Sequence, residues 1–196
     1  MSLILASSSP FRKAILDKLG LDFEVVAPEI NEARRENESP IDLVARLSKE
    51  KAMAVAKSKT GLIIASDQVA TLDSGYKPND SVLTKPGSHE NAVLQLKKSS
   101  GKTVNFLTGL VLMNTKNLNT QVHVEHFKVS FKVLSENQIL NYLSKEDVLN
   151  CAGSFKSEGL GIALFSEMEG NDPNSLIGLP TIQLIDMLAK ENVHVL

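Results

Sequence analysis

Four times along this chain a strand-like or irregular stretch gives way to a serine followed by a helical pattern, and that alternation constrains the fold more than any other feature. Leu3-Ile4-Leu5-Ala6 reads as a short buried strand, then Ser7-Ser8-Ser9 leads into Pro10, a favourable first helical residue behind a serine cap. Phe11, Ile15 and Leu19 recur at helical spacing and Gly20 closes the segment. Ser39-Pro40 with Asp42 repeats the start signature for a helix to about Lys57, Ser88 caps one ending near Ser99, and Ser135 with Gln138 caps one to about Lys145.

Strand patterns lie between them, at Asp22 to Ala27, Leu62 to Leu72, Thr103 to Met113 and Gln121 to Leu134. The polar turn Asn114 to Thr120 makes the last two a hairpin, so the sheet is expected to be mixed. Within Gln121 to Leu134 the apolar register switches from Val122 and Val124 to Phe127, Val129, Phe131 and Val133, which predicts a bulge near His126. The tail reads as a Gly-rich loop from Cys151 to Gly161, a strand at Ile162 to Phe165, a polar turn through Asn174 and a helix from Pro180. Interleaved strands and helices of this kind predict an α/β fold with a cleft.

Three places break the structural pattern and invite chemistry. A strand that ends in small residues and feeds a helix start offers free N–H groups to an anion, and Ser8, Ser9, Arg12 and Lys13 cluster there; a capped surface helix is the bland alternative. Asp67-Gln68 interrupts the apolar run Leu62 to Leu72, and a buried carboxylate needs a partner, a metal or a task, unless the strand ends there in an exposed turn. Val44, Leu47, Lys51 and Val55 step by three and four, so Lys51 is in register with the apolar stripe, either snorkelling or facing inward. Glu29 and Glu32, in the loop Pro28 to Glu32, are hard oxygen ligands for Mg²⁺ or Mn²⁺ or simply solvated.

Other classes are excluded. Ser100-Gly101-Lys102-Thr103 resembles the end of a phosphate-binding P-loop, but Leu96 stands where its first glycine belongs, and here a helix precedes and a strand follows. His123 and His126 lie an odd number apart in a strand and point to opposite faces, so no histidine is given a metal role. With 21 Lys+Arg against 23 Asp+Glu, nothing draws the whole surface to a nucleic acid polymer or a membrane. The one cysteine, Cys151, and the lack of a long apolar run point to a cytoplasmic protein.

Leu5-Ala6-Ser7-Ser8-Ser9-Pro10-Phe11-Arg12, Glu50-Lys51-Ala52, Ser66-Asp67-Gln68-Val69, Lys85-Pro86 and Gly178-Leu179-Pro180 together resemble the Maf-like nucleotide pyrophosphatases over nearly the whole chain. The resemblance implies a single domain over residues 1–196 with two lobes. It also implies an elongated α/β fold, a mixed sheet with a deep central cleft, similar to inosine triphosphate pyrophosphatases. The implied reaction splits a nucleoside triphosphate to monophosphate and diphosphate with a divalent metal cation, and a homodimer is the assembly the family suggests.

By the same resemblance Asp67 is the proton acceptor, with Lys51, Lys85 and Arg12 as catalytic cations, Ser8 in substrate binding, and Glu32 and Asp67 as metal ligands. Cys151 to Gly159 and Gly170 to Asn174 resemble the 7-methyl-GTP branch, in which Phe11, Gln68 and Glu158 fall at the positions linked to substrate choice. A methylated, cationic guanine suits an aromatic face and a carboxylate. The stretch from Asp67 to Lys85 is longer than the family's, with Thr84 where a glycine is usual, and Phe11 replaces a tryptophan. The rival expectations are the same hydrolysis on dTTP and UTP, and a non-catalytic nucleotide-binding regulator of cell division.

Overall fold

The serine caps set the framework. In the computed structural model, which describes residues 2–196, Ser9, Ser39, Ser88 and Ser135 each hold an extended backbone. The side chain of each accepts the amide of the residue three places on. They start α1 (Pro10–Asp17), α2 (Pro40–Ala56), α3 (His89–Ser99) and α4 (Glu136–Leu143). Each such cap is worth about 1 kcal/mol against alanine. At Ser135 the Gln138 side chain completes a reciprocal capping box. Two further helices, α5 (Pro173–Ile177) and α6 (Thr181–Lys190), close the chain.

The strands β1 (Leu3–Ala6), β2 (Phe23–Val26), β3 (Leu62–Thr71), β4 (Thr103–Asn114), β5 (Thr120–Phe131) and β6 (Phe165–Glu169) form a sheet in the order β2-β1-β3-β4-β5-β6. β1 pairs parallel with β2 and β3, and the remaining pairs are antiparallel, so the sheet is mixed as expected. Side chains alternate across it. One face meets α2, where Ala52, Val55, Ile63, Ala65 and Val111 pack together beside Val44, Leu47, Val69 and Leu107.

The opposite face carries two apolar clusters. One joins Leu3, Leu5, Leu62, Ile64 and Leu110 to α1 and α6, and the other joins Phe106, Phe127, Val129, Phe131 and Phe155 to α3 and α4. Between them Ser66, Gln68 and Thr108 hydrogen-bond to carbonyls of Ser175, Leu176 and Gly178. The α5 turn therefore crosses the sheet on a polar strip that divides the apolar layer.

Three expectations are corrected. The β4/β5 register runs unbroken from Thr103↔Ser130 to Met113↔Thr120, so there is no bulge at His126 in that pairing; an irregularity lies instead at Ser130/Phe131 against β6. The apolar switch arises because the two halves of β5 are covered on different faces: Val124 meets the α2 side, while Phe127, Val129 and Phe131 join the α3–α4 cluster. The strand expected at Ile162 begins only at Phe165, since Leu160–Leu164 winds as a 3₁₀ turn whose Gly161 is pressed against the Lys156 backbone. The polar turn through Asn174 holds a short helix, α5, because Asp172 caps it and Pro173 opens it.

Candidate active site

β1 has four residues and β3 has ten, and that mismatch opens the site. β1 covers β3 only from Leu62 to Ala65, then turns through Ser7–Ser9 into α1, while β3 runs on to Thr71. Among the described residues β3 has no strand on that side from Ser66 to Val69, and Ala70 meets Leu83 in an isolated bridge. A cleft of about 1120 Å³ lies along this open edge. Asp67 and Gln68 leave β3 on opposite faces, yet both line the cleft because it straddles the edge.

Lys51 does face inward. The α2 stripe buries it to 6% exposure, and its Nζ lies 2.5 Å from Asp67 Oδ1 and 2.8 Å from Glu32 Oε1. Gly109, the cross-strand partner of Asp67, makes this reach possible: a Cβ there would stand 2.5 Å from Val44 O and 2.6 Å from Ser48 Oγ on α2. A glycine on β4 thus lets the helix lie close enough for its lysine to meet the carboxylate. Asp67, 9% exposed, is a buried carboxylate with a partner.

Arg12 projects from the first turn of α1, where its Nε donates to Gly178 O at 2.7 Å, and Ser66 Oγ donates to the same oxygen at 2.9 Å. Burial lowers the Arg12 pKa, with Asp67 and Glu32 pulling it back up, and a guanidinium remains a cation throughout. The Lys51 hydrogen bond holds the Glu32 carboxyl below its ordinary range; desolvation opposes this, and the charges of Lys51, Lys85 and Arg12 reinforce it. Lys85 is exposed on the cleft wall. Three cations against two carboxylates leave the group around Asp67 net positive, a setting that attracts a polyphosphate.

Glu32 and Asp67, brought together on one ammonium, offer the hard oxygens that Mg²⁺ or Mn²⁺ prefers. Such an ion is commonly held by one or two carboxylates, with substrate phosphates and water completing its shell, and this donor set fits that mode. Among the described residues no group of three or more His, Cys, Asp or Glu is arranged to hold a metal. Glu29 is exposed and does not line the cleft. His123 and His126 stand apart too, on Glu125 and on Asn105 with Tyr76 respectively.

Ser8, Phe11 and Glu158 all line the cleft. Gln68 Nε2 is occupied by Thr108 Oγ1 (3.0 Å), Ser175 O (2.7 Å) and Leu176 O (3.0 Å), so its amide oxygen is the end free to accept from a ligand. Ser8, Phe11, Arg12, Glu32, Lys51, Asp67, Gln68, Lys85 and Glu158 therefore border one cavity, whereas Glu29 and Lys13, also singled out in the sequence, do not. Four that were given no role there also serve it. Arg34 and Lys156 line it, Gly178 anchors Arg12, and Asp172 ties the α5 and α6 starts by accepting from Asn174 N, Thr181 Oγ1 and Ile182 N. Lys156 stood within a recognised motif, but Arg34 has only backbone carbonyls as partners, which no spacing of residue types reveals. Cys151 also borders the cleft, its thiol pushed up to about 11 by burial and so protonated and inert near neutrality. The Ser100–Thr103 segment is a turn from α3 into β4 that does not line the cleft.

Residues 2–191 match the Maf-like protein family. A 7-methyl-GTP pyrophosphatase of Alcanivorax borkumensis is 53% identical over 98% of this chain and 95% of its own length, and that of Pseudoalteromonas atlantica is 52% identical over 100% and 97%. The Ham1 protein of Staphylococcus aureus shares the fold at a TM-score of 0.53 and 11% identity, covering 98% of this chain and 100% of that one. Likeness at this level over almost the entire length makes the chain a member of the Maf-like family.

Proposed function

We propose that this protein is a nucleoside triphosphate pyrophosphatase that splits 7-methyl-GTP into 7-methyl-GMP and diphosphate. The observation that carries the reading is the buried Lys51–Asp67 pair at the open edge of β3, ringed by Arg12, Lys85 and Glu32. A cleft net positive around one carboxylate suits the hydrolysis of a polyanion, and the names borne by relatives about half identical to this chain supply the base.

In this reading Asp67 Oδ accepts a proton from the attacking water as its oxygen bonds to phosphorus. The anhydride bond between the α and β phosphoryl groups breaks, and diphosphate leaves with the electron pair. Lys51 orients Asp67 by donating to Oδ1. Arg12, fixed through Gly178, and Lys85 neutralise charge on the departing diphosphate, while Ser8 lies where the α1 N-terminus meets phosphate. Glu32 and Asp67 would hold a divalent cation, which supplies charge neutralisation on the phosphates when bound. Phe11 offers an aromatic face to the cationic base; the Gln68 amide oxygen and the Glu158 carboxylate accept from its N–H edge. The reading places the protein in the cytoplasm, where nucleotides and a reduced Cys151 belong together.

The test is diphosphate release with Mg²⁺ or Mn²⁺ across 7-methyl-GTP, GTP, dTTP, UTP and CTP. Preference for 7-methyl-GTP, with turnover cut about 10²-fold or more in Asp67→Asn while nucleotide still binds, is the expected result. Activity confined to dTTP and UTP would keep the chemistry and remove the assignment of Phe11, Gln68 and Glu158. Binding without release from any nucleotide would replace catalysis by a regulatory role.

A further inference from the structure

Lys85 stands near the end of an irregular excursion, Asp73 to Pro86, that joins β3 to α3. Holding such a segment in one conformation costs entropy that its contacts must offset. Some contacts are internal: Asp80 accepts from Ser74 Oγ at 2.8 Å, Gly75 N at 2.6 Å and Lys77 N at 3.2 Å. Others moor its ends, with Leu83 N donating to Ala70 O at 2.7 Å, Ile41 N to Gly75 O at 3.0 Å and Asn105 Nδ2 to Asp73 O at 2.9 Å.

The tip is gripped differently. Arg34 spends all three guanidinium nitrogens on main-chain carbonyls: Nη2 on Pro78 O at 3.0 Å, Nη1 on Asp80 O at 2.8 Å and Nε on Glu38 O at 2.7 Å. One planar fork thereby ties the loop that carries Glu32 to the segment that carries Lys85. Lys85 itself has no hydrogen bond or ion pair to another side chain among the described residues, so its place over the cleft depends on the backbone beneath it. Lys85 and Glu32 line the same cleft from these two loops, so the spacing of the loops sets the spacing of the two charges.

We propose that Arg34 is a positioning residue for triphosphate binding, clasping the Pro78–Asp80 tip so that Lys85 is held opposite Glu32. The proposal rests on the reading of Lys85 as a phosphate-facing cation. The clasp anchors the excursion from outside, through Pro78 O and Asp80 O.

The experiment compares wild type with Arg34→Met, Arg34→Lys, Lys85→Ala and the Arg34→Met/Lys85→Ala pair, by steady-state kinetics and by amide hydrogen exchange over residues 74–83. Arg34→Met is expected to raise KM for the triphosphate about 10-fold with a smaller change in kcat, as lost ground-state binding does. Arg34→Lys should fail to rescue, because an ammonium cannot bridge three carbonyls as the fork does. On the Lys85→Ala background, Arg34→Met should add less than about twofold, the non-additivity of residues that act through one another. Exchange over 74–83 should quicken while α2 and β3 keep their protection. Full additivity with Lys85→Ala, wild-type kinetics in Arg34→Lys, or unchanged exchange would each overturn the clasp. Should the wild type release no diphosphate from any triphosphate, the function falls instead, and exchange alone then decides: faster rates uphold the clasp, unchanged rates overturn it.

Discussion

Lys51 holds two carboxylates of unequal standing. Asp67 is nearly buried, whereas the Glu32 side chain is 60% exposed and its share of the pairing is screened by water. Removing the ammonium leaves a buried carboxylate without its partner, so Lys51→Met is expected to cost about 3 kcal/mol, read from urea denaturation. Adding Asp67→Asn to that variant should recover part of the loss, because the neutral amide no longer demands a counter-charge. A Lys51→Met protein as stable as wild type would mean that Arg12 alone satisfies Asp67. At this scale much was legible: the helical step put Lys51 in register with the apolar stripe and the broken apolar run marked Asp67. Their meeting was not, because it joins positions on different elements whose approach depends on Gly109.

At the scale of elements, that approach is the critical dimension. In Gly109→Ala the new Cβ meets Val44 O and Ser48 Oγ well inside contact distance, so α2 must lift from β4. A loss of about 2 kcal/mol is expected from such overpacking, with a fall in turnover as Lys51 moves off Asp67. A crystal structure of the variant with α2 unmoved would refute it. The loop entering α2 is held by charge: Glu38 accepts from Arg46 Nε at 2.5 Å, Arg46 Nη2 at 2.9 Å and Arg35 N at 3.0 Å.

Hydrogen bonding from Arg46, opposed by desolvation and helped by Arg35, holds the Glu38 carboxyl below its ordinary value of about 4.3. The stabilisation is therefore complete above that ordinary value and is lost as pH falls through the lower folded one. Melting temperatures between pH 3 and 7 should drop less steeply on the acid side in Glu38→Gln than in wild type. Parallel curves would show that Glu38 contributes nothing to acid unfolding. Helix starts were readable in the sequence because a cap is local, settled by a serine and the three residues after it. The bulge expected at His126 failed because the covering of β5 is not local: each half meets a different helix layer.

For the whole molecule, the cleft results from unequal strand lengths and from a polar strip between two apolar clusters on one face. The sequence by itself determined where the strands and helices lie apart from β6 and α5, that the sheet is mixed, and which residues are out of place in an apolar pattern. It could do so because periodicity, caps and turns act over a few residues. Only the tertiary structure decided that β3 outruns β1, that Asp67 and Gln68 therefore serve one cleft from opposite faces, and that Glu32, Arg12 and Lys85 converge there. It alone revealed Arg34, whose partners Glu38, Pro78 and Asp80 offer main-chain oxygens. Every residue carries such an oxygen, so no residue type marks the partner, and only the folded path of the chain brings these three within reach of one guanidinium.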